Sequence, residues 1–243
     1  MRKINEENTS AYETLAPEYY DSARHPTCAN FRYASKQIIK PWLEKLTDCH
    51  PICEVGAGMS VAAELLLEAG ESIADLFLTD SAQSMLDYSL DWKIARNHTF
   101  VAGASRLPFP ASSFSLCISS LGDPYNTENL WAELARVLRD DGYAIFTTPS
   151  YEWASIYRGL TGSGDCAAEF CLSDGRTVLA PSMIYDQNYQ TKLINFEPSM
   201  EVVDFQVMTY SQLPPEKVSP KLRIARENDL PITAGYLVRK SPL

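Results

Sequence analysis

The segment Ile52-Cys53-Glu54-Val55-Gly56-Ala57-Gly58-Met59-Ser60 constrains this chain more than any other. An apolar, strand-like run enters two glycines one residue apart and passes at once into an apolar stretch beginning at Val61. The backbone therefore turns sharply out of a buried strand into a helix, at positions where glycine tolerates the turn and leaves room for close approach. In open α/β sheets such a turn brings main chain next to a nucleotide-sized ligand, beyond the carboxyl end of the strand.

The sequence around it alternates in the same way. Ile52–Val55 reads as a first strand, Val61–Ala69 as a helix closed by Gly70, Ala74–Thr79 as a second strand and Ala82–Trp92 as a second helix. Further strands are expected at Thr99–Ala102, Phe114–Ser120 and, after the turn Asp140-Asp141-Gly142, Tyr143–Thr148, with a helix over Asn129–Leu138. Repeated βαβ units imply a parallel sheet with helices on both faces. Ahead of this core, residues 9–46 read as helical, with Thr9–Leu15 broken at Pro17, an aromatic connector through Tyr19, Tyr20 and His25, and a longer helix over Thr27–Leu46. After Thr148 a loop and short helix, a glycine-rich link over 159–165 and a hairpin over Glu169–Met183 turning at Ser173-Asp174-Gly175 are expected. A helix over Tyr185–Asn195, a long strand over Glu201–Tyr210 and a last strand over Ile232–Arg239 close the pattern. The expected architecture is a single α/β domain over residues 1–243 built on a doubly wound, seven-stranded, mostly parallel sheet. It divides into an N-terminal helical lid (1–48), a ligand-binding core (49–150), a hairpin insertion capping the sheet (151–195) and final strands (196–243).

Composition narrows the partners. With 243 residues, 45% of them hydrophobic, the chain buries one full core. A formal charge of -10 and a pI near 4.8 oppose a surface that tracks phosphates, so nucleic acid is not an expected partner. No apolar run reaches the roughly 18 residues of a membrane span, and Met1-Arg2-Lys3-Ile4-Asn5-Glu6-Glu7-Asn8 turns polar where a secretory signal turns apolar. A cytoplasmic monomer or homodimer without membrane contact is expected. The six cysteines form no Cys-x-x-Cys pair, and reduced structural thiols are expected rather than disulfides. Cys49, His50 and Cys53 lack a suitably spaced fourth ligand, so no metal site is expected.

The turn itself discriminates among ligands. A phosphate-binding P-loop needs Gly-Lys-Ser/Thr at the helix start, and no lysine lies between Glu54 and Lys93. A dinucleotide turn wants a third glycine where this chain has Val61, and an apolar residue where it has Glu54. What remains is Glu54-x-Gly56-x-Gly58 followed by Leu76-Phe77-Leu78-Thr79-Asp80, whose terminal carboxylate can accept both hydroxyls of a ribose. At these residues, and at Leu107-Pro108-Phe109-Pro110 and Leu134–Gly142, the chain resembles the class I S-adenosylmethionine-dependent methyltransferases, in particular the type 11 branch.

The resemblance implies a Rossmann-like methyltransferase fold with S-adenosylmethionine as cofactor, and it implies roles residue by residue. Gly56, Ala57 and Gly58 would approach the methionine part, with Glu54 ordering the turn or reaching the ammonium through water. Asp80 would bind the ribose, and Ser81 and Met85 would border the adenosine. Tyr20 of the lid and Ser120 after the fourth strand would complete the pocket, while Arg24 and Arg32 are candidates to pair with the cofactor carboxylate. The family often carries Gly-Asp-Ala before its Leu-Pro-Phe segment; here Gly103, Ala104 and Ser105 stand in that region, so one side-chain contact to adenine is missing or is replaced through Ser105.

Methyl transfer needs a positioned nucleophile and, for some acceptors, a base. Ser119-Ser120-Leu121-Gly122-Asp123-Pro124-Tyr125-Asn126 partly matches the Asp/Asn-Pro-Pro-Tyr motif of amino-group methyltransferases, which makes Asp123 and Tyr125 candidates; the alternative is a polar loop capped by Asp123 and stiffened by Pro124. His25 is a candidate base carried on the lid. Tyr151, Glu152 and Trp153 are candidates to line the substrate pocket. The expected activity is methyl transfer to oxygen or nitrogen of a small organic molecule. Its rivals are a non-catalytic cofactor-binding module and a methyltransferase acting on a macromolecule.

Overall fold

A computed structural model describes residues 2–93, 96–161, 166–215 and 218–242. Two N-terminal helices, α1 (Arg2–Tyr19) and α2 (Pro26–Leu43), precede β1 (Ile52–Val55), α3 (Val61–Glu68), β2 (Leu76–Asp80) and α4 (Gln83–Leu86), which continues as a 3-10 helix through Trp92. Then come β3 (Thr99–Val101), β4 (Phe114–Ser119), α5 (Glu128–Val137), β5 (Leu138–Pro149), α6 (Tyr151–Thr161), β6 (Ala167–Cys171), β7 (Thr177–Pro181), α7 (Gln187–Ile194), β8 (Met200–Thr209) and β9 (Pro231–Lys240).

Seven strands form one sheet in the order β3-β2-β1-β4-β5-β9-β8. The pairs from β3 to β5 are parallel, and β9 runs antiparallel between β5 and β8. The expected doubly wound, mostly parallel sheet is present, and β6 and β7 form the expected separate hairpin. Strand alternation divides the core into two layers. Ile52, Leu116, Ile118 and Ile145 face α2, where Ile38, Ile39 and Trp42 meet them. Their neighbours Cys53, Val55, Cys117 and Phe146 face α5, against Leu130, Trp131 and Leu134. Order reverses between β1 and β4, the place where such sheets open a crevice beyond their carboxyl ends.

Three local readings are corrected. Pro17 does not break the first helix: α1 runs through it and ends at Tyr19, so the missing N–H falls in the final turn and costs a single hydrogen bond. The turn expected at Asp140-Asp141-Gly142 is absorbed into β5, with Asp141 at φ 63 and a register shift against β4 between Phe114 and Leu116. The glycine-rich link over 159–165 begins as the last turn of α6, and its residues 162–165 lie outside the described residues.

The lid and the hairpin are docked onto each other. Ala11 and Leu15 of α1 pack on Ala180 of β7, with Phe170 and Val178 around them. The N–H of Ser173 at the hairpin turn donates to both carboxylate oxygens of Glu18, at 3.1 and 3.2 Å. At the other end the Ser182 hydroxyl donates to Asp123 at 2.6 Å, and Met183 N–H donates to Asp123 O at 2.8 Å. These contacts lay helix and hairpin over the carboxyl edge of the sheet.

One glycine sets how close α2 lies to the sheet. A Cβ on Gly235 of β9 would fall 2.4 Å from Ile38 Cγ2 and 3.2 Å from Trp42 Cζ3. Gly235→Ala is expected to cost roughly 1–3 kcal/mol by overpacking, read as a lower urea midpoint with an unchanged slope. An unchanged midpoint would contradict this packing.

Candidate functional site

The crevice is built from the end of β1 outward. Glu54 is 1% exposed, and its carboxylate accepts from Val61 N at 3.0 Å, from Ala62 N at 3.2 Å and from the Ser60 hydroxyl. Ser60 in turn caps α3 by accepting from Ala63 N at 2.9 Å. Burial pushes the Glu54 carboxyl up to about 7, against the lowering pull of the Ser60 and Val61 donors. The turn before the helix is satisfied in the same way: Ala57 N–H donates to Thr79 O at 2.9 Å, Gly58 N–H to Asp80 Oδ2 at 3.0 Å, Met59 N–H to Tyr20 Oη at 2.7 Å and Ser60 N–H to Ser89 Oγ at 3.2 Å. Helix N-termini bind phosphate through N–H groups that lack protein partners. From Ala57 to Ala63 every N–H already has one.

Both glycines of the turn have positive φ, 67 at Gly56 and 45 at Gly58. Each also lies under a phenol: a Cβ would come within 2.1 Å of Tyr125 Oη at Gly56 and within 2.2 Å of Tyr20 Oη at Gly58. Tyr125 is held there by donating to Val55 O at 2.7 Å, with Ser119 Oγ at 3.0 Å. Tyr20 reaches the turn from the end of α1. Asp80, 8% exposed, ends β2 beside them; besides Gly58 it holds Ala82 N through Oδ1 at 2.9 Å. Burial raises its carboxyl to about 6, with the Ala82 and Gly58 N–H groups opposing.

A cavity of about 1550 Å³ opens from this turn. One end is lined by Gly56, Ala57, Gly58, Asp80, Ser81 and Met85, and by the loop Gly103, Ala104 and Ser105. Overhead lie Tyr12, Tyr19, Tyr20 and Cys28, and Ser120, Tyr125 and Met183 form a further wall. On the side of Ser105, Arg106, Glu128 and Tyr189 these lining residues are exposed, which makes it the mouth.

Residues 53–146 match the model of a family described as a methyltransferase domain. The match spans the part of the chain from β1 to β5, which holds the glycine turn and Asp80. Solved structures share the fold at low identity. A 1,6-didemethyltoxoflavin-N1-methyltransferase from Burkholderia thailandensis, bound to 1,6-didemethyltoxoflavin and S-adenosylhomocysteine, is 14% identical with a TM-score of 0.54, over 96% of this chain and 88% of that one. An S-adenosylmethionine-dependent methyltransferase from Clostridium acetobutylicum is 14% identical with a TM-score of 0.57, over 87% and 92%. The Haloferax volcanii protein solved in complex with the Trm112 methyltransferase activator is 13% identical with a TM-score of 0.61, over 97% and 98%. None of the curated proteins matches the sequence.

The residues singled out in the sequence fall into two groups. Tyr20, Gly56, Ala57, Gly58, Asp80, Ser81, Met85, Gly103, Ala104, Ser105, Ser120 and Tyr125 all line the one cavity. Glu54, Asp123 and His25 do not. Glu54 lies behind the turn, where its carboxylate is occupied with α3. Asp123 is 8% exposed and turned to Ser182, its carboxyl raised to about 6 by burial against the Ser182 hydrogen bond. His25 sits before α2 with Nε2 3.4 Å from Glu18 Oε1 and its ring against Phe170, 6.0 Å between centroids, so the lid carries it away from the cavity. Arg24 pairs with Asp21 at 3.5 Å, and Arg32 pairs with Glu64 at 2.7 Å while keeping a place on the cavity wall. Trp153 stacks on Tyr157 and meets Phe31 instead of lining the pocket. Lining residues that the sequence did not single out include Tyr12, Cys28, Glu64, Glu128, Met183 and Tyr189; for Tyr12 the one signal was the density of tyrosines before Pro26.

The Glu54 carboxyl yields a signed pH prediction. Its folded pKa lies above the roughly 4.3 of a free glutamate, so the folded state holds the proton between those values and stability is lost as pH rises through them. Comparing unfolding free energies at pH 5 and pH 8, Glu54→Gln, which cannot ionise, is expected to gain on the wild type by on the order of 2 kcal/mol. A constant difference between the two proteins would show that Glu54 does not titrate in this window.

Proposed function

We propose that the chain transfers the methyl group of S-adenosylmethionine to an oxygen or nitrogen of a small organic molecule held in the same cavity. The observation that carries this is the size and continuity of the space. A pocket for one ligand usually measures about 300–1,000 Å³, and here 1550 Å³ runs from the glycine turn and Asp80 to a wall of tyrosines under the lid.

The residues present fit the cofactor. It bears no phosphate, and the turn offers no spare N–H to one. Asp80 accepts from the N–H groups of Gly58, Ser81 and Ala82 and keeps an acceptor site beyond them, which suits a ribose hydroxyl. Ser81 and Met85 border the same end, and Gly103 presents open backbone, since a Cβ there would meet nothing within 4 Å. When bound, the cofactor supplies a sulfonium-activated methyl group for in-line displacement. The chain's own residues then have two tasks. The turn and Asp80 hold one reactant in place, which removes the entropy of bringing two molecules together. Tyr12, Tyr19, Tyr125 and Met183 hold the other and exclude water, with the lid and hairpin closing over them. An acidic chain with an enclosed aromatic pocket suits a small acceptor better than a nucleic acid.

Two measurements test the reading. With labelled S-adenosylmethionine and a cell extract, label is expected in the low-molecular-mass fraction; label confined to protein or RNA would contradict the proposal. Asp80→Ala, with its fold verified by circular dichroism, is expected to weaken S-adenosylhomocysteine binding by about tenfold or more. Wild-type affinity should also fall as pH drops below 6, where protonation removes an acceptor from Asp80, and Asp80→Asn should lack that dependence. Unchanged affinity in Asp80→Ala would remove the ribose assignment.

A further inference from the structure

We infer that the acceptor is a neutral aromatic heterocycle and that the methyl group goes to one of its ring nitrogens, in a transfer that moves no proton. The inference rests on the proposed function and narrows it.

The first ground is the shape of the wall. Tyr12 meets Tyr19 edge-on with centroids 6.0 Å apart, Tyr19 meets Tyr20 at 5.0 Å, and Tyr20 meets Tyr88 at 4.8 Å. Tyr88 is fixed by donating to Ala16 O at 2.6 Å, and Tyr20 by accepting from Met59 N. This edge-to-face ladder holds three of its rings, those of Tyr12, Tyr19 and Tyr20, against the cavity in set orientations, a surface suited to a flat ring.

The second ground is that the described part of the cavity offers no base to an acceptor under the lid. No histidine lines it. His25 is turned to Glu18 and Phe170, and Asp123 is turned to Ser182. Three carboxylates do reach the lining. Glu64 is engaged by Arg32 and Lys36, Asp80 belongs to the cofactor end, and Glu128 is exposed at the mouth on the first turn of α5, as Arg106 is nearby. The remaining O–H and S–H groups of the lining are phenols, one thiol and the hydroxyls of Ser81, Ser105, Ser120 and Thr127, whose ordinary state at neutral pH is protonated. Burial raises the Tyr12, Tyr19 and Tyr125 phenols well above their usual range and pushes the Cys28 thiol up to about 12. At neutral pH these groups are protonated and accept no proton from a nucleophile.

A neutral alcohol, phenol or protonated amine would have to shed a proton and has no recipient there. An already ionised phenolate would bring a bare charge against the wall, since of the three cations that line the cavity Arg32 and Lys36 are held by Glu64 and Arg106 is exposed at the mouth. A ring nitrogen avoids both costs. Its lone pair forms the N–CH3 bond while the C–S bond breaks with its electron pair going to sulfur. The positive charge passes from the sulfonium to the ring nitrogen, no proton is released, and tyrosine faces favour a cation on either side of the transfer.

The test uses two bicyclic probes of matched size, isoquinoline and 1-naphthol, with S-adenosylmethionine. A rise in melting temperature with S-adenosylhomocysteine first establishes cofactor binding independently. Methylation of isoquinoline to N-methylisoquinolinium, read by mass, is expected to exceed that of 1-naphthol by about tenfold or more, with kcat/KM flat from about pH 7 to 9 because no enzyme group has to be deprotonated. Tyr12→Leu is expected to raise the KM for isoquinoline by about tenfold, and Tyr12→Phe, which keeps the ring face, to restore it. Preference for 1-naphthol, a kcat/KM for isoquinoline that climbs with pH, or no methylation of either probe while S-adenosylhomocysteine still raises the melting temperature would overturn the inference and leave the cofactor assignment standing. Absence of any shift with S-adenosylhomocysteine would remove both.

Discussion

The buried carboxylate of Glu54 is the interaction on which the carboxyl edge of this sheet depends. It stands at the end of β1 and gathers the Ser60 hydroxyl and the Val61 and Ala62 N–H groups, which fixes where α3 starts and how Gly56 to Gly58 must turn to reach it. A carboxylate out of water is costly unless its lone pairs are used, and here the orphan donors of a helix N-terminus use them. The consequence is chemical as well as structural. A helix end that would attract phosphate is answered internally, and in the proposed function ligand recognition falls to Asp80 beside it.

The second half of the site is assembled from distant parts of the chain. Tyr20 brings α1 to Met59, Tyr125 brings the loop after β4 to Val55, and the hairpin is pinned to Glu18 at its turn and to Asp123 at its base. The same tyrosines that close the cavity also restrain the glycine turn, since Gly56 and Gly58 have space for phenol oxygens and none for a Cβ. The lid and the glycine turn therefore share their contacts through Tyr20. The joint between lid and hairpin is a small apolar cluster around Leu15 and Ala180, tied at the hairpin turn by Ser173 N–H to Glu18.

What the sequence made legible follows from the range of the interactions. The strand, turn and helix at 52–68, the acidic end of β2 and the hairpin at Ser173-Asp174-Gly175 are set by local period and turn chemistry, and the structure has them within a residue or two of expectation. The roles of His25, Asp123 and Glu54 depend on which way a side chain points after docking. A histidine before a proline and an aspartate before a proline look equally available on the page, yet Glu18 with Phe170 takes one and Ser182 takes the other. Tyr12 and Cys28 were hidden for the same reason, because α1 becomes cavity wall only through contacts with α4 and β7, and α2 only through packing on β5, β9 and α3. Pro17 misled because its cost depends on how much helix follows it, and only Glu18 and Tyr19 do.

The central claim is that a helix N-terminus satisfied by its own protein, next to Asp80, accepts a ribose-bearing ligand without phosphate. Isothermal titration of the full chain with S-adenosylhomocysteine and, separately, with ADP and NAD tests it most directly. A one-to-one isotherm is expected for S-adenosylhomocysteine, with no heat of binding for ADP or NAD at millimolar concentration. Binding of either phosphate-bearing nucleotide in competition with S-adenosylhomocysteine, or failure of S-adenosylhomocysteine to bind, would contradict it.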